Sequence, residues 1–164
     1  MGANTSTTRQ DDVRQVMNGL RRIVRGLRLS ARETEAAAGI SGAQLFVLQA
    51  LAEAPVSSLN ELAERTSTDQ SSVSVVVRRL AERGLVERRP SPSDGRRVAL
   101  RLTAAGRQLL RRCPEPTQAH LVLTLRRLGR AELRGLRAGV DALVRGLGVD
   151  AEAAGMFFEP EGDR

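Results

Sequence analysis

"SLNELAERTSTDQSSVSVVVRRLAERGLVERRPSPSDGRRVALRL", Ser58 to Leu102, holds two helix starts, a tight break between them and a hairpin. Ser58 followed three residues later by Glu61 is a capping box, and Leu62 and Ala63 supply the inward face behind it. "TSTDQ" breaks that helix after about Arg65. Asp69 can cap a second helix running through Arg83, with Val73, Val76, Val77 and Leu80 on its buried side and Gly84 as its stop. Leu85–Arg89 and Arg97–Leu102 then alternate as two strands. Asp94-Gly95 sets the turn between them, since this pair tolerates positive φ.

Helix, short turn, helix and a two-stranded hairpin with a basic tip is the layout of a winged helix-turn-helix. Working outward, Ser41 with Gln44 opens a preceding helix that buries Leu45, Leu48 and Leu51 and is closed by Pro55. Before it, Val13, Val16, Met17, Leu20, Ile23, Val24 and Leu27 recur at three-four spacing from Asp11 to about Ala38, which predicts a long amphipathic helix ended by Gly39. Residues 1–10 are polar and read as a loose tail. After the hairpin, Thr103 caps a helix that runs into "RRCPEP", where Pro114 and Pro116 interrupt it. The pattern resumes near Thr117 with Leu121, Leu125 and Leu128, breaks at Gly129, and ends in a helix carrying Leu133, Leu136, Val140, Leu143 and Leu147 on one stripe. From residue 149 the chain is an acidic tail with one apolar patch, Met156-Phe157-Phe158.

The predicted fold class is therefore mainly α with a small β-hairpin wing. A winged helix-turn-helix core spans about 41–112, with flanking helices at about 11–38 and 113–148 and a tail at 149–164. The stripes on the flanking helices exceed what a small winged domain can bury. They predict a homodimer with Val13, Met17, Leu20, Leu136, Val140, Leu143 and Leu147 in or beside the subunit contact.

Composition narrows the partners. Aromatic residues make up 2% of the 164, with no Trp or Tyr, which argues against a base-stacking surface for single strands. All 26 basic residues are Arg and the formal net charge is +7. The charge is localised: residues 55–112 hold 12 Arg against 6 acids, whereas 149–164 hold 1 Arg against 5 acids. Such a footprint favours duplex DNA. A lone Cys113 suits a reducing cytoplasm, and no run reaches membrane-spanning length, so neither secretion nor a membrane is predicted.

The second helix of such a unit enters the major groove with its N-terminal turns, here "DQSSVSVVVRR". With the valines and Leu80 turned inward, Gln70, Ser71, Ser74, Val75 and Arg78 remain outside. Gln reads adenine bidentately, Ser bonds a base edge or phosphate, Val75 suits a thymine methyl, and Arg suits guanine or phosphate. The wing tip lies beside the minor groove, where negative potential favours Arg96 and Arg97, with Asp94 bracing an Arg. Thr68, Ser72 and Arg88 complete the predicted DNA-contacting set.

On these residues the chain resembles the multiple antibiotic resistance regulator (MarR) family over about Asp11 to Leu147. The most specific segment is "ELAERTSTDQSSVSVVVRRLAERGLVERRPSPSDGRRVALRLTAAG", with the family's Asp-x-Arg wing motif at Asp94 and Arg96 followed by Leu102-Thr103. The resemblance implies a homodimer held by its first and last helices, one winged domain per subunit on a palindromic operator, and often a small ligand or oxidant that releases DNA. It also implies that Gln70, Ser71, Ser72, Ser74 and Arg78 contact the major groove and Arg96 the minor groove. One departure is the proline-broken "RRCPEPTQAH", where the family has a continuous helix.

Cys113 reads as a small packed residue rather than a redox sensor, because relatives that sense peroxide do so near the start of the first helix, which has no Cys here. His120 is the only His, so a zinc site would have two ligands at most, and no metal or cofactor is predicted. No phosphate loop, catalytic triad or carboxylate cluster is present, so the chain is not read as an enzyme. The leading function is a sequence-specific transcriptional regulator, a repressor relieved by a small-molecule effector. The alternatives are a winged module used only for protein docking and a nonspecific architectural DNA binder.

Overall fold

In the computed structural model, residues 3–56, 58–90, 98–113, 116–151 and 154–159 are described, with side chains from 8 onward except those of 90 and 98. Along the described chain the elements are α1 (Ala3–Ala38), α2 (Gly42–Glu53), α3 (Leu59–Thr66), α4 (Gln70–Glu82), β1 (Val86–Pro90), β2 (Val98–Leu102), α5 (Ala104–Leu110), α6 (Thr117–Arg127) and α7 (Arg130–Leu147). This is a mostly helical architecture with one antiparallel hairpin, in the predicted order.

α2 is apolar nearly all round, and a helix of that kind belongs in the middle of a fold. Leu45, Val47 and Leu48 are fully buried there, and α3, α4, α5 and the hairpin gather around them. Its start is secured from both sides: the Gln44 amide donates to Ser41 Oγ at 3.1 Å, and the Ser41 amide donates to Gln44 Oε1 at 3.1 Å. At α3 the Glu61 amide donates to Ser58 Oγ at 3.1 Å, and the Glu61 carboxylate also receives Arg65 at 3.1 Å. Asp69 occupies the N-cap of α4 with extended backbone but makes no side-chain capping bond, contrary to expectation.

β1 and β2 pair in register from Val86↔Leu102 to Pro90↔Val98; Val86, Leu100 and Leu102 are buried in the core, and Arg88 is exposed. Val56, between α2 and α3, bridges to Leu100 and anchors the hairpin to the helices. Gly84 ends α4 at φ +67°, a left-handed conformation that glycine adopts without strain. Gly106 has a different necessity. A Cβ there would sit 2.2 Å from the Leu85 carbonyl oxygen, so only glycine lets α5 lie against the base of the hairpin.

α1 begins at Ala3, eight residues before the apolar pattern, so 3–10 form helix and not a loose tail. The polar "ANTSTTRQ" offers no apolar periodicity from which this could be read. The proline segment does separate two helices: α5 stops at Leu110, and α6 starts after Pro116 with its Thr117 amide donating to Ser30 Oγ of α1 at 3.1 Å. α7 follows with no buried residue, and Val13, Met17, Leu20, Leu136, Val140, Leu143 and Leu147 are all exposed on this chain. The tail turns back onto the winged domain, where Met156 is 6% exposed within the core. Among the described residues no single helix is long and apolar enough to cross a membrane.

Candidate nucleic-acid interface

Three features hold the turn between α3 and α4. Ser67 takes a left-handed backbone at φ 54°, the Thr68 amide donates to Ala63 O at 2.9 Å, and the Thr66 and Thr68 hydroxyls share a hydrogen bond of 2.6 Å. Thr66 also donates to Leu62 O at 2.8 Å, which fixes its side chain against the end of α3. α4 therefore leaves the turn in a defined direction, and its apolar side locks the rotation. Val73, Val76, Val77 and Leu80 are all fully buried.

That rotation decides what faces outward. Gln70, Ser71 and Arg78 are exposed, and Ser74 and Val75 are half-buried on the neighbouring flank. Thr68 is half-buried through its tie to Thr66. Ser72 is half-buried as well, and its hydroxyl donates to the Ala154 carbonyl at 3.5 Å. Arg88 is exposed on β1 beside Arg89, which pairs with Glu87 at 2.9 Å. Asp94, Arg96 and Arg97, at the wing tip, lie outside the described residues.

Not all the positive charge of the middle segment is available to a ligand. Arg65 donates to Ala50 O at 2.9 Å and Ala54 O at 2.6 Å, bracketing the end of α2. Arg83 donates to Gly39 O at 2.7 Å and Arg107 to Leu102 O at 2.8 Å. Arg79 pairs with Glu159 at 2.5 Å. These four satisfy carbonyls at helix or strand ends or the tail, while Arg78, Arg88, Arg101, Arg111 and Arg112 are exposed. Net charge located the basic segment, but it could not tell which arginines brace the fold.

Beside the leading turn of α4 lies a cavity of about 720 Å³. Ala63, Gln70, Leu121, Val122, Leu125 and Met156 are among its walls. Cys113 packs against the core, its thiol donating to Leu109 O at 3.4 Å, and burial raises its pKa. Among the described residues no three His, Cys, Asp or Glu side chains cluster as a metal site would.

The MarR family model matches residues 38–97, from the last residue of α1 to the residue before β2. An uncharacterised HTH-type transcriptional regulator of Mycobacterium bovis is 31% identical over 105 residues, covering 64% of this chain and 73% of that protein. The chain belongs to the MarR family. It is a winged-helix transcriptional regulator rather than an enzyme. A Thauera aromatica protein described as a transcriptional regulator of the hcr operon is 36% identical over 89 residues, and this match spans about half of each chain, 54%. Among solved structures, BpsR of Bordetella bronchiseptica superposes with a TM-score of 0.53 at 29% identity, over 84% of this chain and 94% of that one. That structure concerns the regulation of BpsR DNA binding by 6-hydroxynicotinic acid.

Within this MarR-family fold, sequence reasoning missed three residues of the α4 surroundings: Arg79, Met156 and Glu159. Met156-Phe157-Phe158 stood out as an apolar patch, but nothing local to it named the winged domain as its seat. The signal was there in the charges, since an acidic tail and a basic domain share one chain.

Proposed function

We propose that this MarR-family protein is a repressor that binds a palindromic operator as a homodimer and is released by a small ligand. The observation that carries the proposal is the orientation of α4. Its four fully buried residues fix Ser71 and Arg78 outward, and Gln70 stands exposed at the first turn, at the end of the helix that leads into a major groove. In this reading Ser72, Ser74, Val75 and Thr68 approach bases or adjacent phosphates, and Arg88, Asp94, Arg96 and Arg97 serve the wing. The exposed stripes of α1 and α7 support the dimer, because Val13, Val140 and Leu143 stand roughly half exposed at 57%, 46% and 47%. Apolar surface of that extent on two long helices favours burial against a second copy.

Release by a small ligand is supported by the cavity beside Gln70, whose volume falls in the range of small-molecule sites. BpsR, whose DNA binding is regulated by 6-hydroxynicotinic acid, supports the same reading. An occupant there would touch the first turn of α4 and α6 together.

Selection of bound fragments from random duplex DNA, combined with sedimentation at micromolar concentration, tests the proposal. The expected outcome is a dimer and an enriched sequence with two-fold symmetry, its half-sites about one helical turn (~34–36 Å) apart. A monomer that enriches no symmetric sequence, or whose binding lacks a steep salt dependence, would overturn it in favour of a protein-docking module.

A further inference from the structure

The segment Ala154–Glu159 is packed along one flank of α4. At the leading end Ser72 Oγ donates to Ala154 O at 3.5 Å, and Phe157 lies by Asp69 and Gln70 around the adjoining cavity. Met156 is buried at 6% exposure and anchors the segment in the core. Farther along, Arg79 Nη1 donates to Glu159 Oε1 at 2.5 Å while Ser41 Oγ donates to Glu159 Oε2 at 2.8 Å. Both carboxylate oxygens are engaged, and the Glu159 side chain is 10% exposed. Phe158, held at φ 57°, reaches the groove between Arg79, Arg83 and Ile40. Ser72, Arg79 and Arg83 lie seven and eleven residues along α4 and its end, hence on one edge of the helix.

That edge is where a DNA backbone would run. A helix with its side chains is about 10–12 Å across and the major groove about 12 Å wide, so a groove holding α4 has no room for a second segment alongside it. The docked segment also puts a carboxylate beside Arg79, one of the two arginines of that edge, at the place where a phosphate would need it. The sequence from 149 onward, with 5 acids against 1 Arg, is repelled by duplex DNA as a whole.

We propose that Ala154–Glu159 is an autoinhibitory strap that occupies the DNA-facing edge of α4 and must be displaced before a duplex can seat. The proposal rests on the DNA-binding reading above. Docked, the strap holds Ser72 and neutralises Arg79; released, it leaves Arg79 to a phosphate. Apparent affinity is the intrinsic affinity multiplied by the fraction of chains with the strap open. A strap open one-tenth of the time therefore weakens binding about tenfold.

The test measures binding of the selected operator duplex by full-length protein, by Glu159→Gln, and by a chain ending at Ala151, each across a salt titration and with its melting temperature. Glu159→Gln keeps Met156 in the core and so loosens the strap without removing its anchor. Both variants should bind severalfold more tightly than the parent, up to about tenfold. In an Arg79→Ala background the truncation should gain less, because the phosphate partner it would free is gone. Added duplex should also raise hydrogen exchange of the amides of residues 154–159 in the full-length chain. Folded variants that bind no more tightly than the parent, or tail amides that stay protected on the duplex, overturn the strap while the DNA-binding reading stands. Absence of binding by every form, including the parent, removes the DNA-binding reading and the strap with it.

Discussion

Arg126 Nη2 donates to the carbonyl oxygen of Arg65 at 2.8 Å, so the last turn of α6 is tied to the C-terminal end of α3. The same nitrogen lies 3.4 Å from Glu64 O and from Ser67 Oγ. A helix end leaves carbonyls without internal partners, and a guanidinium satisfies several at once. Arg126→Ala should therefore loosen the turn that aims α4. Because the contact is exposed, the loss of global stability should be about 1 kcal/mol or less. Faster hydrogen exchange at Ser67–Gln70, with melting nearly unchanged, is the expected signature; unaltered exchange would mean the tie does not hold the turn.

Within α4, Gln70 stands exposed at the first turn whereas Leu80 is fully buried, so the two residues separate the proposed reading role from fold stability. Gln70→Ala should cost ~1–3 kcal/mol on the best operator and little on random duplex, with the melting temperature unchanged. Leu80, fully buried, should lower stability by ~2–5 kcal/mol when truncated to Ala. Binding assays and thermal melts on both variants separate the two classes. A Leu80→Ala protein that melts normally beside a Gln70→Ala protein with intact specificity would reverse the assignment of faces.

Gly106 is a packing requirement rather than a flexible point. A methyl group at this position meets the Leu85 carbonyl at 2.2 Å, and backbone atoms cannot move aside cheaply. Gly106→Ala should destabilise the fold by ~1–3 kcal/mol through that overlap, read as a lowered denaturant midpoint. Gly135→Ala, where a Cβ meets nothing within 4 Å, is the control and should be neutral or slightly stabilising.

The thiol of Cys113 has a raised pKa because burial disfavours the thiolate. Alkylation by iodoacetamide at neutral pH should accordingly be slower in the folded protein than in a denatured control. Above the ordinary thiol value, near ~8.5, the unfolded chain releases a proton that the folded chain retains. The thiol's contribution to stability is thus complete below that pH and falls as pH rises toward the folded value. Cys113→Ala should remove this alkaline decline, as followed by denaturant melts across pH. Rapid alkylation at pH 7 would contradict the account.

Local rules made most of the winged domain legible. The Ser41–Gln44 box, Ser58, Gly84 and Thr103 each act through neighbours a few residues away, so a single chain of letters displays them. The rotation of α4 was legible for the same reason, because four apolar residues at three-four spacing admit one buried side. Contacts across long separations were not. Arg79 with Glu159, Arg126 with Arg65, and Met156 in the core each join segments far apart in the chain, and nothing in the local pattern pairs them. Arginine made this worse. With no Lys in the chain, bracing and ligand-facing cations look alike until their partners are known.

The unbroken course of α1 has a mechanical consequence. Its stretch around Val13–Leu20 is exposed for the proposed subunit seam, while Leu27, Ser30 and Thr34 are buried where α1 meets α2 and α6. One stiff rod therefore joins seam to head, with an arm from Val13 to Thr34 of about 30 Å at 1.5 Å per residue. Tilting such an arm by about 5° carries its far end about 3 Å, close to the ~3.4 Å rise between successive base pairs. In the proposed dimer the rod is a lever: a small packing change at the seam would shift each winged domain by about one base-pair step along a bound duplex.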